Sequence, residues 1–319
     1  MPLSLRRGRV TRIREHLEGL VRLDVDGIDC VAYPSLTGPV ALDDDVLVNV
    51  QARELGLGSG GYDVLYANLT RGLALAPEEG AHVMALPYTP LQHARLFLEE
   101  SGEPRAELAG MPVVCCSLHS QLAPVCAALG DLRVAYVQLG GGALPVSLSD
   151  TVRVLKERGL VATAVAVAPC FDADVECVSV ASALGWARSG HDIAVCAIGP
   201  GIVGTGTRFG HGGLAAAEAA NATLALGGLP VIAARVSGAD ERARHRGLSH
   251  HTEAVLTLVR GEPVVADSRA EGWREACAGL PLSHMGRGPD GDPEFFSAAY
   301  AAGLAGRGLV LRSDASSGG

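Results

Sequence analysis

PVVCCSLHSQLAPVCAALG, residues 112–130, contains the unit from which the fold is read. It opens on an apolar run with no polar alternation, which suits a strand covered on both faces. The polar step SLHSQ then leads into a helical stretch over 120–129. The same rhythm recurs outward from this unit. RVAYVQL (133–139) precedes a helix at 149–158, and VATAVAVAP (161–169) precedes one at 174–189. DIAVCAIG (192–199) precedes a helix from about 212 to 226, and PVIAARV (230–236) one at 249–259. On the N-terminal side, HVMAL (82–86) and PLQHARLFLEES (90–101) read as a further strand and helix. Such alternation predicts an α/β domain over 79–309 built on a doubly wound, mostly parallel sheet.

Upstream the pattern is different. Segments 8–14, 20–25, 28–33, VLVNVQA (46–52) and GYDVLYANL (61–69) are short and β-like. Glu18-Gly19 and Asp26-Gly27 are turn signals, the second a two-residue hairpin signal, and ELGLGSGG (54–61) reads as a loop. These predict a small N-terminal all-β domain over 1–78, barrel-like or a sandwich. The end, 310–319, reads as a disordered tail.

Composition narrows the partners. The 319 residues are 48% hydrophobic, carry a net charge of -9 and include only 4% aromatics. No cationic face or base-stacking platform is expected, which argues against nucleic acid as a partner. MPLSLRRGRV lacks the apolar core of a signal peptide, and no apolar run is long enough for a membrane span, so a cytoplasmic protein is expected. The eight cysteines form no C-x-x-C pair and read as buried free thiols. Lys156 is the only lysine and lies on an amphipathic helix, which argues against a pyridoxal phosphate Schiff base or a P-loop lysine. A divalent metal stays open as a cofactor, as does a homo-oligomer.

In open α/β sheets ligands bind beyond the carboxyl ends of the strands. The segments expected there, 117–121, 138–150, 168–174, 199–213 and 235–252, concentrate Gly, Ser, His, Asp and Arg, whereas the opposite ends are plain. Some of these segments carry a resemblance. HVMALPYTPLQ (82–92), SLHSQLAPVCAAL (117–129), GGALPVSLSD (141–150), GPGIVGTGT (199–207) and HRGLSHHT (245–252), with LTGPV (36–40) and the stretch 44–64, are similar to a bacterial family termed domain of unknown function 3866. The resemblance spans roughly residues 8–305. It implies a bacterial cytoplasmic protein and brings no activity, cofactor or catalytic residue.

The residues themselves suggest the chemistry. GPGIVGTGTRFGHGG (199–213) has G-x-G-x-x-G at Gly199, Gly201 and Gly204 after a strand. No helix opens at Gly204 and the next strand ends in Arg235 instead of an acid, so a dinucleotide fingerprint is disfavoured. An anion-binding loop using Gly201, Gly204, Thr205, Gly206 and Thr207, with Gly141 nearby, competes with a merely tight turn. HRGLSHHTE supplies His245, His250 and His251 as acid/base candidates, against capping or solvated histidines, and Arg244 and Arg246 as anion clamps, against a solvated arginine run. Ser249 is a natural N-cap. Adjacent His250 and His251 would project about 100° apart and poorly share one metal. His250 and Glu253, at i and i+3, are the better-spaced metal ligands. SLHSQ adds His119, with Ser117 and Ser120 as ligand-binding candidates or helix caps. Asp172 and Asp174 read as caps of the next helix. Two functions are expected in competition. One is a hydrolase or group transferase acting on a small anionic or phosphorylated metabolite. The other is a non-catalytic metabolite sensor or adaptor.

Overall fold

The computed structural model describes residues 3–56, 61–71, 74–76, 78–266 and 269–317. The chain divides into two compact units, Met1–Leu96 and Phe97–Gly319.

The first unit contains a closed five-stranded barrel in the order β1-β2-β3-β5-β4. Its strands are β1 (Leu5–Leu17), β2 (Leu20–Val25), β3 (Ile28–Ala32), β4 (Asp45–Asn49) and β5 (Asp63–Asn68). Short helices α1 (Pro34–Thr37) and α2 (Gln51–Glu54) lie in the connections. Closure depends on β1, whose first half pairs with β4 and whose second half pairs with β2. Register shifts between Val10 and Arg12 and between Ile13 and Glu15 bend the strand between those duties. Asp26 and Gly27 both take positive φ (51° and 79°), the hairpin geometry their pairing predicts. Alternate residues, including Val10, Leu23, Val25, Val46, Val48 and Leu65, fill the interior. The expected loop 54–61 falls partly on 57–60, outside the described residues.

The unit then continues past the expected boundary at 78. β6 (Val83–Ala85) pairs antiparallel with β7 (His93–Arg95), so the strand and helix expected over 82–101 are a β-hairpin instead. The cause lies between them: Pro87 and Pro90 flank a turn in which Leu86 and Tyr88 take positive φ and Thr89 N–H and Oγ1–H both donate to Leu86 O. Only a single 3₁₀ turn, Leu98–Glu100, follows.

The second unit is an α/β layer structure. Seven parallel strands run in the order β11-β10-β9-β12-β8-β13-β16. They are β8 (Pro112–Cys116), β9 (Val134–Leu139), β10 (Thr163–Val167), β11 (Val175–Cys177), β12 (Ile193–Ile198), β13 (Leu229–Ala233) and β16 (Val264–Ala266). A two-residue ladder joins β14 (Val236–Ser237) to β15 (Gly247–Leu248). The five apolar runs quoted above thus lie side by side with their carboxyl ends together. β11 and β16 lie at the two edges of the sheet and had no signal of their own. Asp172 and Asp174 do not cap a helix: Asp174 accepts from Ala164 N (2.8 Å) and pairs with Lys156, while Ser179 caps the helix that follows β11.

Strand residues alternate between two cores. Val114, Cys116, Tyr136, Ala166 and Val195 face α3 (Leu122–Leu129), α4 (Asp150–Glu157) and the long α9 (Pro293–Ser317). Val113, Cys115, Val137, Val165 and Cys196 face α5 (Val180–Ala187), α6 (Ala215–Ala225) and α7 (His250–Leu258). A short α8 (Trp273–Ala276) precedes α9. The expected disordered tail over 310–319 is corrected: α9 carries 310–317, and 318–319 lie outside the described residues. Its glycines, which normally weaken helices, permit close approach here. A Cβ on Gly303 would sit 2.4 Å from Val125 O, and one on Gly306 would sit 2.9 Å from Ile193 Cδ1 and Val114 Cγ2. No described helix is long and apolar enough to cross a membrane.

All eight cysteines are free and buried, and burial raises the thiol pKa of seven of them, Cys30, Cys115, Cys116, Cys126, Cys170, Cys177 and Cys196, to about 12 or beyond. A chromogenic disulfide reagent should therefore label no cysteine of the native protein and all eight in guanidinium; rapid native labelling would contradict this packing.

Candidate functional site

Arg235 follows the end of β13 and is only 2% exposed. A buried guanidinium needs partners. Its backbone N–H donates to Thr252 Oγ1 (2.8 Å), its Nη2 to Asp240 Oδ2 (3.2 Å), and its Nη1 meets His251 Nδ1 at 3.2 Å. Burial lowers its pKa to about 10. Asp240 is held in turn. Arg242 grips both of its oxygens (2.9 and 2.8 Å), and Ser237 Oγ accepts from its backbone N–H. Hydrogen bonding from Arg242 lowers its pKa well below the carboxylate range. Ser237 Oγ–H donates to buried Asp292 (2.6 Å), which Arg287 also contacts (3.3 Å).

This network folds 236–248 back along the β14–β15 ladder and sets His245 over the start of α7. Ser249 caps α7, its Oγ accepting from His251 N–H (3.2 Å). The same Oγ lies 2.7 Å from His245 Nδ1, which leaves Nε2 of that ring for another partner. The centroids of His245, His250 and His251 lie 4.5–4.8 Å apart. One ring nitrogen from each comes within 4.8 Å of the others. His211, from the loop after β12, stacks on His251 (3.7 Å between centroids, 16° between planes). Burial lowers His245 to about 3 and His251 to about 2, with Arg235 adding to both, and also lowers His211 and His250. All four rings are neutral at physiological pH. Both nitrogens of His211 and Nε2 of His250 are buried without a hydrogen-bond partner.

A cleft of about 500 Å³ opens at the ends of β9 and β10. His211, Gly141, Pro169, Ser179 and Glu218 are among its lining residues. His211, buried itself, stands between the cluster and this cleft. A family model described as Protein of unknown function (DUF3866) matches residues 29–272.

The chain belongs to the DUF3866 family.

No curated relative matches the sequence. The family match takes in the barrel strands from β3 onward and all four clustered histidines of this DUF3866 chain.

The structure gathers some predicted residues and separates others. His245, His250 and His251 converge, and the adjacent rings of His250 and His251 lie 4.5 Å apart despite the expected projection of about 100°. The helical angle separates their Cα–Cβ vectors, but the rings of the first helical turn swing toward His245. Glu253 is exposed and stands outside the three-histidine group. Arg244 is exposed yet close enough to lower His250, and Arg246 is exposed. His119 sits elsewhere on the edge: its Nε2 meets Ser149 Oγ (2.7 Å) and its Nδ1 meets Ile198 O (3.3 Å). Ser117 is buried, its Oγ–H donating to Gln121 Oε1 (3.4 Å), and its carbonyl packs against Gly213. Ser120 pairs with His284 Nδ1 (3.3 Å), a histidine that sequence reasoning passed over. His284 stacks flat on Phe295 (3.7 Å, 2°) and is lowered to about 3 by burial.

The glycine-rich loop has a local explanation. A Cβ on Gly142 would lie 2.2 Å from Gly199 O, and one on Gly212 would lie 2.0 Å from Gly141 O. The glycines thus let two loops touch backbone to backbone. A Cβ on Gly204 would lie 3.2 Å from His211 Cβ, and Gly201 takes positive φ. Gly206 is exposed, and the Thr205 and Thr207 hydroxyls bond each other (2.8 Å). Positive charge acting on the cluster comes from Arg235, Arg242 and Arg244.

Two outcomes follow. Asp240→Ala strips Arg235 of its buried counter-charge and should cost about 3–5 kcal/mol in urea unfolding. Asp150→Ala, at an exposed pair, should leave the midpoint unchanged. His119, lowered to about 4, and His284, to about 3, bind protons more weakly folded than unfolded. Their contribution is complete above the unfolded histidine pKa of about 6.5 and is lost as pH falls toward the folded values. The melting temperature should therefore drop between about pH 7 and pH 4; a flat profile would contradict the buried neutral rings.

Proposed function

We propose that this protein is an enzyme, a hydrolase or group transferase, that acts on a small anionic or phosphorylated molecule at the histidine cluster. The observation that carries the reading is the convergence of four neutral imidazoles on the carboxyl edge of a parallel sheet. The deeply buried rings offer neutral nitrogen lone pairs as acceptors, and partly exposed His250 is the ring placed to exchange a proton with a substrate, which hydrolysis and group transfer require. The cleft beside His211 is of a size that suits a small metabolite. Arg235, Arg242 and exposed Arg244 act on the rings against Asp240 and Glu253, a positive balance that favours an anionic ligand. Helices on both faces support a doubly wound topology, whose strand ends form such crevices. The reading places the protein in a bacterial cytoplasm, with free thiols kept reduced and no part for nucleic acid or membrane.

A metabolite sensor is the second reading, favoured by the separate β-barrel unit, which would report binding. Turnover separates the two. Purified full-length protein is assayed against p-nitrophenyl phosphate, bis(p-nitrophenyl) phosphate and p-nitrophenyl acetate. Wild type should turn over an anionic ester, and His250→Ala should lower kcat/KM about 100-fold with the fold intact by circular dichroism. Saturable phosphate binding without turnover would replace the enzyme with the sensor.

A further inference from the structure

Three imidazoles that bring one nitrogen each within 4.8 Å form an all-nitrogen donor set with no carboxylate. Among the described residues this is the group of three ligating side chains so placed. It is assembled from two elements, the 3₁₀ turn Ala243–His245 and the first turn of α7. Each ring has its own support. Ser249 Oγ fixes His245 through Nδ1 (2.7 Å). His211 stacks on His251, whose Nδ1 accepts from Arg235; a ligand to this ring would take that lone pair in place of Arg235, which keeps Asp240. His250 is partly exposed, and its buried Nε2 has no partner. Buried polar atoms without partners are costly, and crowding four imidazoles together multiplies that cost unless something sits among them.

We propose that His245, His250 and His251 together hold one divalent transition ion of the zinc, cobalt, nickel or copper class, with a coordination position left open for water or the anionic ligand. Imidazole nitrogen suits that class, whereas calcium and magnesium select oxygen donors. Three protein ligands and an open position are the pattern of reactive sites; structural sites close all four. Tetrahedral bonds of about 2.1 Å need nitrogens roughly 3.4 Å apart, so the rings close slightly on loading. His250, partly exposed and unpartnered at Nε2, is the ring with freedom to do so. Ser249 is a positioning residue here, since outer hydrogen bonds orient metal-bound histidines. The inference rests on the cluster as the reaction centre, but it is tested by binding alone.

Full-length protein is treated with chelator, dialysed, and titrated with Zn²⁺ alone and Co²⁺ alone. Elemental analysis should find one ion per chain after dialysis, and Co²⁺ should give visible bands of nitrogen ligation. His250→Ala and His245→Ala should each weaken affinity roughly 100-fold, and Ser249→Ala roughly tenfold. His16→Ala, at an exposed barrel histidine, should change nothing. Mg²⁺ and Ca²⁺ should not compete. An ion-free wild type, or equal affinity in wild type and His250→Ala, overturns the proposal. Should His245→Ala fail to fold, the His250 variant, at a partly exposed ring, decides. Ion retention without ester turnover upholds this inference and overturns the enzymatic one; turnover without ion retention does the reverse.

Discussion

A guanidinium with almost no access to water is the constraint from which the site follows. Arg235 enters the interior just past β13, where solvation is lost and partners must replace it. Asp240 supplies the countercharge, and Asp240 can reach it only if the chain after β14 turns back at once. Ser237 and Arg242 hold that turn. The 3₁₀ turn Ala243–His245, just before the return strand β15, then sets His245 at the mouth of α7, and Thr252 on α7 accepts from the Arg235 backbone. Ion pair, ladder and helix cap form one mechanical piece, and the imidazoles are gathered as its consequence.

The sheet was legible because its central strands are buried at every position, and strands buried on both faces carry few polar residues to blur the signal, Gln138 of β9 being one. The edge strands β11 and β16 pair with one neighbour each and span three residues, too little for periodicity to register. The hairpin of β6 and β7 was read as a strand and a helix because HARLFLEES has helical spacing; two prolines and a left-handed turn outweighed it. α9 escaped notice for the opposite reason. Its glycines look like interruptions in isolation and become contact points once α3 and the sheet lie against them.

The site was legible as an edge and only partly as a constellation. HRGLSHHT drew attention through density of histidine, and the structure brings its three rings together. His211 and His284 gave no such signal, because each is a lone histidine whose neighbours come from other strands. The glycine pattern at 199–204 illustrates the converse. Spacing that suits a phosphate cradle also suits two loops that must touch, and here the mutual approach of Gly141 with Gly212 and of Gly142 with Gly199 accounts for it.

Ser249 carries a consequence beyond its own bonds. One oxygen begins α7 and aims His245. The fraying of a helix end and the dispersal of the histidines are thereby a single event. Local melting that would pass unnoticed at another helix terminus would here silence the cluster, long before the sheet or the barrel loosened. The working temperature of such a protein would be set by the first turn of one nine-residue helix, whatever the robustness of its core.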